Sequence, residues 1–343
     1  MSTENLRRLL SSYRSSRDNG FALFLGAGVN GGLWAKDHPA CCSWPELIKD
    51  VAKHFYNKDD IDAVLKASGN DWIKAATDLF RQQDRGFILD QIDNAIYRDT
   101  FTHPEKRIGR DAKHKVLEWK VFKKMETLRA VVAFSAAINK TTKKRSMYRN
   151  PKVGCILTTN YDFFFSAAWP RYTSMKNKWW PRTWKSQSYK SNSACPIVYL
   201  HGYLPYSKKG DRDLILLEED YENAYQAENS KRFVLRELTD AIENCNLIFI
   251  GFSFADQQVI NVLKSAKSST THFTFLHKKD DAQAIDNAAK LGVLPIEVNT
   301  WNELPEKIGQ VYCSGITEKE LERTNLSRDG YWTALWNRQE PRK

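Results

Sequence analysis

The chain has no apolar run near the ~20 residues that a membrane crossing needs, so a spanning helix is excluded on its sequence. It has only six cysteines, Cys41, Cys42, Cys155, Cys195, Cys245 and Cys313, and none forms a C-x-x-C pair. Neither a zinc ribbon nor a dithiol motif is therefore present, and no metal is expected. Cys155 and Cys245 lie in or beside predicted strands and read as core. The default for such cysteine usage is a reducing, cytoplasmic compartment. Ser2 to Asn19 is polar and charged, without the pattern of a signal peptide. There is no internal repeat and no low-complexity segment.

Acid is missing from two stretches. Lys140 to Lys152 holds six basic residues and Arg171 to Lys190 holds six more, with no Asp or Glu in either. The net charge is +11, from 52 basic and 41 acidic residues, so outside those stretches 40 bases face 41 acids. The protein is balanced and carries two basic segments. In the second, Trp179, Trp180 and Trp184 interleave with Lys178, Arg182 and Lys185. That pattern can stack on and neutralise single-stranded nucleic acid; a solvated loop or a subunit interface is the favoured alternative.

What is present is a chain of 343 residues, 42% of them hydrophobic, enough for one large domain or two ordinary ones. Leu6, Leu9, Leu10 and Tyr13 have helical spacing, and Asn19-Gly20 closes that helix. Trp34, Pro39, Cys41 and Cys42 read as an extended loop. Ser43, Pro45 and Glu46 form a capping box on a helix over 44–56. Helical periodicity runs from 58 to 138 through Ile61, Trp72, Leu79, Phe87, Ile92, Trp119 and Leu128. Strands are then predicted at 153–157, 197–200, 246–250, 272–276 and 294–298. Helices alternate with them at 218–243 (broken near Asn229), 256–266, 280–290 and 301–309. Such alternation predicts an α/β fold: a Rossmann-like parallel sheet with helices on both faces, plus a helical insertion at about 58–150. Residues 1–313 are expected to form the catalytic domain and 314–343 a tail. In that tail Tyr331, Trp332, Leu335 and Trp336 share one face of a docking helix, on its own domain or on a partner.

Several predicted strands run into small or polar residues, and the C-terminal strand ends of such a sheet are where ligands sit. After Phe21–Leu25 come Gly26, Gly28 and Gly31, a G-x-G-x-x-G match that permits close backbone approach to a diphosphate. The loop beyond it is too irregular for the ordinary dehydrogenase pattern, and a plain glycine-rich turn is the alternative. After Val153–Leu157 come Thr158, Thr159, Asn160, Tyr161 and Asp162. Asn160 and Asp162 suit an Asx turn, or an amide and a carboxylate delivered to a site. His201 ends the run Ile197–Leu200; its imidazole titrates where a general base must, although a lone histidine at a strand end is more often structural. Gly251 to Asp256 follows Leu247–Ile250, with Ser253 or Asp256 suited to cap the next helix.

Taken together, Gly26-Ala27-Gly28-Val29, Thr158–Asp162, Leu200-His201-Gly202 and Gly251–Asp256 resemble, in that order, the motifs of the sirtuin-like fold. More narrowly they resemble the bacterial sirtuin-like NAD-hydrolysing proteins of antiphage defence. The likeness spans roughly residues 20 to 300. It implies NAD as substrate, Asn160 as catalytic asparagine, His201 as base and Asp162 as the nicotinamide-side acid. It also implies dinucleotide contacts from Gly26, Ala27, Gly28, Asn30, Thr159, Gly251, Ser253 and His277. Family members usually have serine where this chain has Asn30. Deacylating sirtuins carry a zinc ribbon after the His-Gly pair. This chain instead has Leu214–Tyr225, similar to the strand-plus-helix of the NAD-hydrolase branch, which favours hydrolysis over deacylation, ADP-ribosyl transfer or non-catalytic sensing. The resemblance further implies a gated, oligomeric enzyme, working beside a HerA-class ATPase or an Argonaute-like partner.

Overall fold

The computed structural model describes residues 2–30, 44–69, 71–97, 122–141, 144–168, 179–183, 195–204, 214–225, 233–278 and 282–337. The strands in chain order are β1 (Phe21–Leu25), β2 (Ala136–Thr141), β3 (Lys144–Arg149), β4 (Val153–Thr158), β5 (Trp179–Thr183), β6 (Cys195–Tyr199), β7 (Asn246–Ile250), β8 (Phe273–His277) and β9 (Leu294–Val298). Seven of them form one sheet in the order β5-β6-β4-β1-β7-β8-β9, and every pairing in it is parallel. The chain leaves β1 for β4 on one side and later returns to β7 on the other. This reversal puts the ligand-binding crevice at the C-terminal ends of β4, β1 and β7.

The all-apolar β1 is buried along its whole length, as a strand covered on both faces requires. Alternation divides its side chains between two cores. Phe21, Leu23 and Leu25 join the core beneath α1 (Ser2–Ser15) and the inserted helices, whereas Ala22 and Phe24 face the opposite one. Among the described residues the helices between β1 and β2 are α2 (Trp44–Ala52), α3 (Lys58–Ala67), α4 (Trp72–Phe80), α5 (Arg85–Tyr97) and α6 (Glu126–Phe134). Asn57 and Asp71 cap α3 and α4 with their side-chain oxygens. Ile61, Leu79, Ile88, Ile92 and Ile96 supply the buried stripe, but Phe87 lies outside it, 45% exposed. Ser43, Trp119 and the loop from Trp34 to Cys42 lie outside the described residues.

Among the described residues the remaining α-helices are α7 (Phe164–Ala168), α8 (Glu218–Tyr225), α9 (Phe233–Asn244), α10 (Gln257–Ser265), α11 (Ala282–Lys290), α12 (Leu304–Ser314), α13 (Glu318–Thr324) and α14 (Arg328–Asn337). The later strands and helices begin and end within a few residues of their sequence positions. Three differences stand out. Residues 136–138, assigned to the helical stretch, open β2, which pairs antiparallel with β3; the charges of the basic segment mask that hairpin's alternation. An edge strand, β5, occupies part of the second basic segment. Leu214 to Leu217 is not a strand. Its Ile215 N–H goes to His201 O (2.9 Å) and its Ile215 carbonyl to the Tyr161 hydroxyl, so no ladder forms.

Two residues of the first basic segment are part of the framework. Lys152 Nζ caps the end of α1, meeting Tyr13 O at 2.9 Å and Ser16 O at 2.9 Å. Arg149 bonds to Asn19 Oδ1 and to the Val153 carbonyl. At the other end of the chain, Tyr331 and Leu335 of α14 are buried in the same core as β1. Trp332 packs against Tyr312 with ring centres 5.5 Å apart, and Arg129 lies 4.3 Å over the Trp336 ring.

Candidate active site

The turns after β1 and β7 cross in direct backbone contact. Gly26 N–H donates to Ile250 O and Gly28 N–H to Gly251 O, both at 3.0 Å. A Cβ on Gly26 would stand 2.3 Å from Gly251 O. Gly251 has φ +67°, and its Cβ would stand 2.3 Å from Val29 N. Two amide groups that suit a diphosphate are thus engaged with the neighbouring turn. At this crossing the glycines serve by lacking side chains. Gly31 lies outside the described residues.

The end of β4 is tied to the same turn. Thr158 Oγ1 donates to Leu25 O (3.0 Å) and accepts from Asn160 N–H (3.1 Å), and Asn160 Nδ2 donates to Gly26 O (3.1 Å). Thr159 N–H reaches Leu25 O at 3.4 Å. Asp162 is buried. One carboxylate oxygen accepts from Asn30 Nδ2 at 2.8 Å; the other accepts from Phe164 N–H at 3.0 Å, the Asx turn that starts α7. Burial pushes the Asp162 carboxyl up from its usual range, and hydrogen bonds from Phe164, Asn30 and Asn160 oppose that shift. Asn30 thereby has a local role: its amide reaches and steadies this acid.

His201 follows β6 and is 4% exposed. Its Nε2 lies 2.9 Å from the Tyr225 hydroxyl and 3.3 Å from Asp256 Oδ2. The Tyr221 ring meets it edge-on at 5.2 Å, and Tyr221 and Tyr225 stack within 17° of parallel. Burial lowers the His201 pKa and Asp256 raises it, the burial effect being larger. Asp256 is the helix cap, its Oδ1 accepting from Gln258 N–H (3.0 Å) and Val259 N–H (3.2 Å). Ser253, the other candidate cap, is exposed.

These turns enclose a cleft of about 960 Å³, within the size range of small-molecule sites. Gly26, Ala27, Gly28, Thr159, Asn160, Asp162, His201, Gly251 and Ser253 all line it. Asn30 lies behind, on a small cavity shared with Asn160 and Asp162. His277 is set back from the cleft: its Nε2 is 2.6 Å from Asn299 O, and its ring stacks on Trp301, which does line it. The walls are aromatic, from Trp44, Trp72, Tyr161, Tyr221, Tyr225 and Trp301. Among the described lining residues the carboxylates are Asp71, Asp162, Glu218, Glu222 and Asp256, and no Lys or Arg is present.

Sequence reasoning missed Tyr221, Tyr225 and Trp301 and saw Asp256 only as a cap. The two tyrosines were signalled by their i, i+4 spacing on α8, which puts both on one helix face. Among the described residues no group of His, Cys, Asp and Glu is arranged to hold a metal ion, and no helix is long and apolar enough to cross a membrane. Cys155 and Cys245 are half-buried against the second core.

Residues 154–296 match the family model described as a SIR2-like domain. The match runs from β4 to β9 and includes Asn160, Asp162, His201 and the turn Gly251–Asp256. The turn after β1 precedes it. No curated protein matches the chain.

Proposed function

We propose that this chain, whose residues 154–296 match the SIR2-like domain model, binds NAD and hydrolyses it to nicotinamide and ADP-ribose. The supporting observation is that Asn160 and His201, from separate strands, line one aromatic-walled cleft beside the glycine crossing. In the reaction the bond from ribose C1′ to the nicotinamide nitrogen breaks, and its electron pair neutralises the pyridinium. Water forms the new C–O bond to C1′ and gives up one proton. Burial keeps His201 neutral near pH 7, the state a base requires. Asn160, pinned to Gly26 O, holds the ribose, and Asp162, steadied by Asn30, holds the nicotinamide end. The aromatic walls exclude bulk solvent, and fixed groups replace random encounter.

Free NAD loss would poison a cell, so the activity is gated, in keeping with an effector of antiphage defence. Assembly, a nucleic acid or an ATPase-type or Argonaute-like partner would provide the gate. The test is incubation of the full chain with NAD, with and without an acyl-lysine peptide, nucleic acid and conditions that promote assembly, followed by chromatography. Equal amounts of nicotinamide and ADP-ribose, independent of peptide, are expected. Nicotinamide release only with the peptide would make the chain a deacylase. NAD bound but intact under every condition would make it a sensor.

A further inference from the structure

His201 and Asp256 come from different strand ends, and nothing in the reading above requires them to meet. They do meet, with Nε2 3.3 Å from Oδ2. The carboxylate is fixed in place, because its other oxygen is bound by the N–H groups of Gln258 and Val259, the second and third residues of α10. An ionised carboxylate can only accept a hydrogen bond. A lone pair on Nε2 facing Asp256 would be repelled; a proton there is attracted. The Tyr225 hydroxyl at 2.9 Å can serve either ring state, since it both donates and accepts. The other ring against the imidazole is Tyr221. Both phenols stay neutral at pH 7, because burial holds their pKa values well above the usual phenol range. Among the described residues Asp256 is therefore the charged group that acts on the ring.

We propose that Asp256 is a positioning residue that selects the Nε2–H tautomer of His201 and so assigns Nδ1 as the atom that takes the proton from the attacking water. The inference rests on reading His201 as the base. It gives Asp256 two tasks, one for each carboxylate oxygen: starting α10 and setting the imidazole. Loss of the second alone leaves the histidine in place with its lone pair on the wrong nitrogen.

Two variants separate the tasks. Asp256→Asn and Asp256→Ser both retain an oxygen that caps α10, and neither has a carboxylate for Nε2. The full chain is labelled with ¹⁵N-histidine, and the His201 ring signals are assigned by their loss in His201→Gln. Wild type is expected to show Nε2 protonated and Nδ1 bare near pH 7. Asp256→Asn is expected to shift the population toward Nδ1–H, because its amide donates to Nε2. In turnover, both variants are expected to lose about 10²- to 10⁴-fold in kcat, with KM within about twofold and an unchanged melting temperature. A wild-type Nδ1–H signal overturns the proposal, as does a tautomer unmoved by Asp256→Asn or wild-type kcat in Asp256→Ser. The ring signals need no turnover, so a chain that never cleaves NAD would refute the proposed function while the ring signals still reveal which nitrogen carries the proton.

Discussion

His272 makes the fold acid-sensitive in a calculable way. It stands at the start of β8, where its Nδ1 accepts the Leu247 N–H of β7 (3.3 Å) and its carbonyl accepts the Leu294 N–H of β9 (2.9 Å). Among the described residues its buried Nε2 has no hydrogen-bond partner. A proton on Nδ1 would break the bond to Leu247 and create a buried charge. Burial accordingly lowers the pKa from 6.5 to about 4. Above pH 6.5 neither the folded nor the unfolded chain is protonated at this site, and stability is unaffected. As pH falls below 6.5 the unfolded chain takes up the proton first, so stability is lost, and the loss levels off below about 4. One pKa unit corresponds to about 1.4 kcal/mol, which gives a loss of about 2 kcal/mol at pH 5 and about 3 kcal/mol at pH 4. His272→Asn retains an oxygen that can accept from Leu247 and cannot titrate. Urea unfolding of both proteins at pH 7 and pH 5 measures the difference. Wild type should lose about 2 kcal/mol more than the variant on acidification. Equal losses would refute the reasoning, for they would mean that the folded chain accepts the proton at its ordinary pKa.

Asn160→Ala and His201→Ala should each lower kcat for NAD cleavage by at least about 10²-fold with melting unchanged; near-wild-type turnover in either would move the site elsewhere. Gly251→Ala should cost more than about 2 kcal/mol, since it adds a side chain at positive φ and 2.3 Å from Val29 N, and it should abolish dinucleotide binding in calorimetry. Asn150→Leu should cost about 2–4 kcal/mol in urea unfolding. Asn150 is buried and donates to the Tyr13 hydroxyl and Phe134 O, both at 2.7 Å, and accepts from Lys152 N–H at 3.1 Å.

The parallel sheet was legible because its strands are continuous apolar runs that end in polar or small residues. FALFL, VGCILT and NLIFI need both faces covered, and they are covered. The strand-end positions of Asn160, Asp162 and His201 follow from the same pattern. Other features were hidden for physical reasons. β3 and β5 lie in charge-rich segments, where alternation is weak and pairing is set by neighbouring backbone. Leu214–Leu217 has a strand's composition, but its polar groups are claimed elsewhere: those of Ile215 by His201 and Tyr161, the Leu216 and Leu217 N–H groups by Asp220, and the Leu214 carbonyl by Arg85. The contact between His201 and Asp256 depends on how the ends of β6 and β7 sit across the sheet, which no local spacing encodes. Likewise, the glycine pattern was visible while its use was not. Close approach to a phosphate and close approach to another turn ask the same thing of the sequence.

The crossing at Gly26 and Gly251 bears on which parts of the cleft can move. Backbone meets backbone there, with no rotamers between to rearrange and two hydrogen bonds across the joint. Such a joint does not flex by degrees; it holds or it separates. The floor of the cleft is then an anvil of fixed shape, and any closing over a ligand falls to the walls from α2, α4 and α8, which bring Trp44, Trp72 and Tyr221 to the cleft. A gate acting on this protein would have its leverage on those helices and almost none on the sheet.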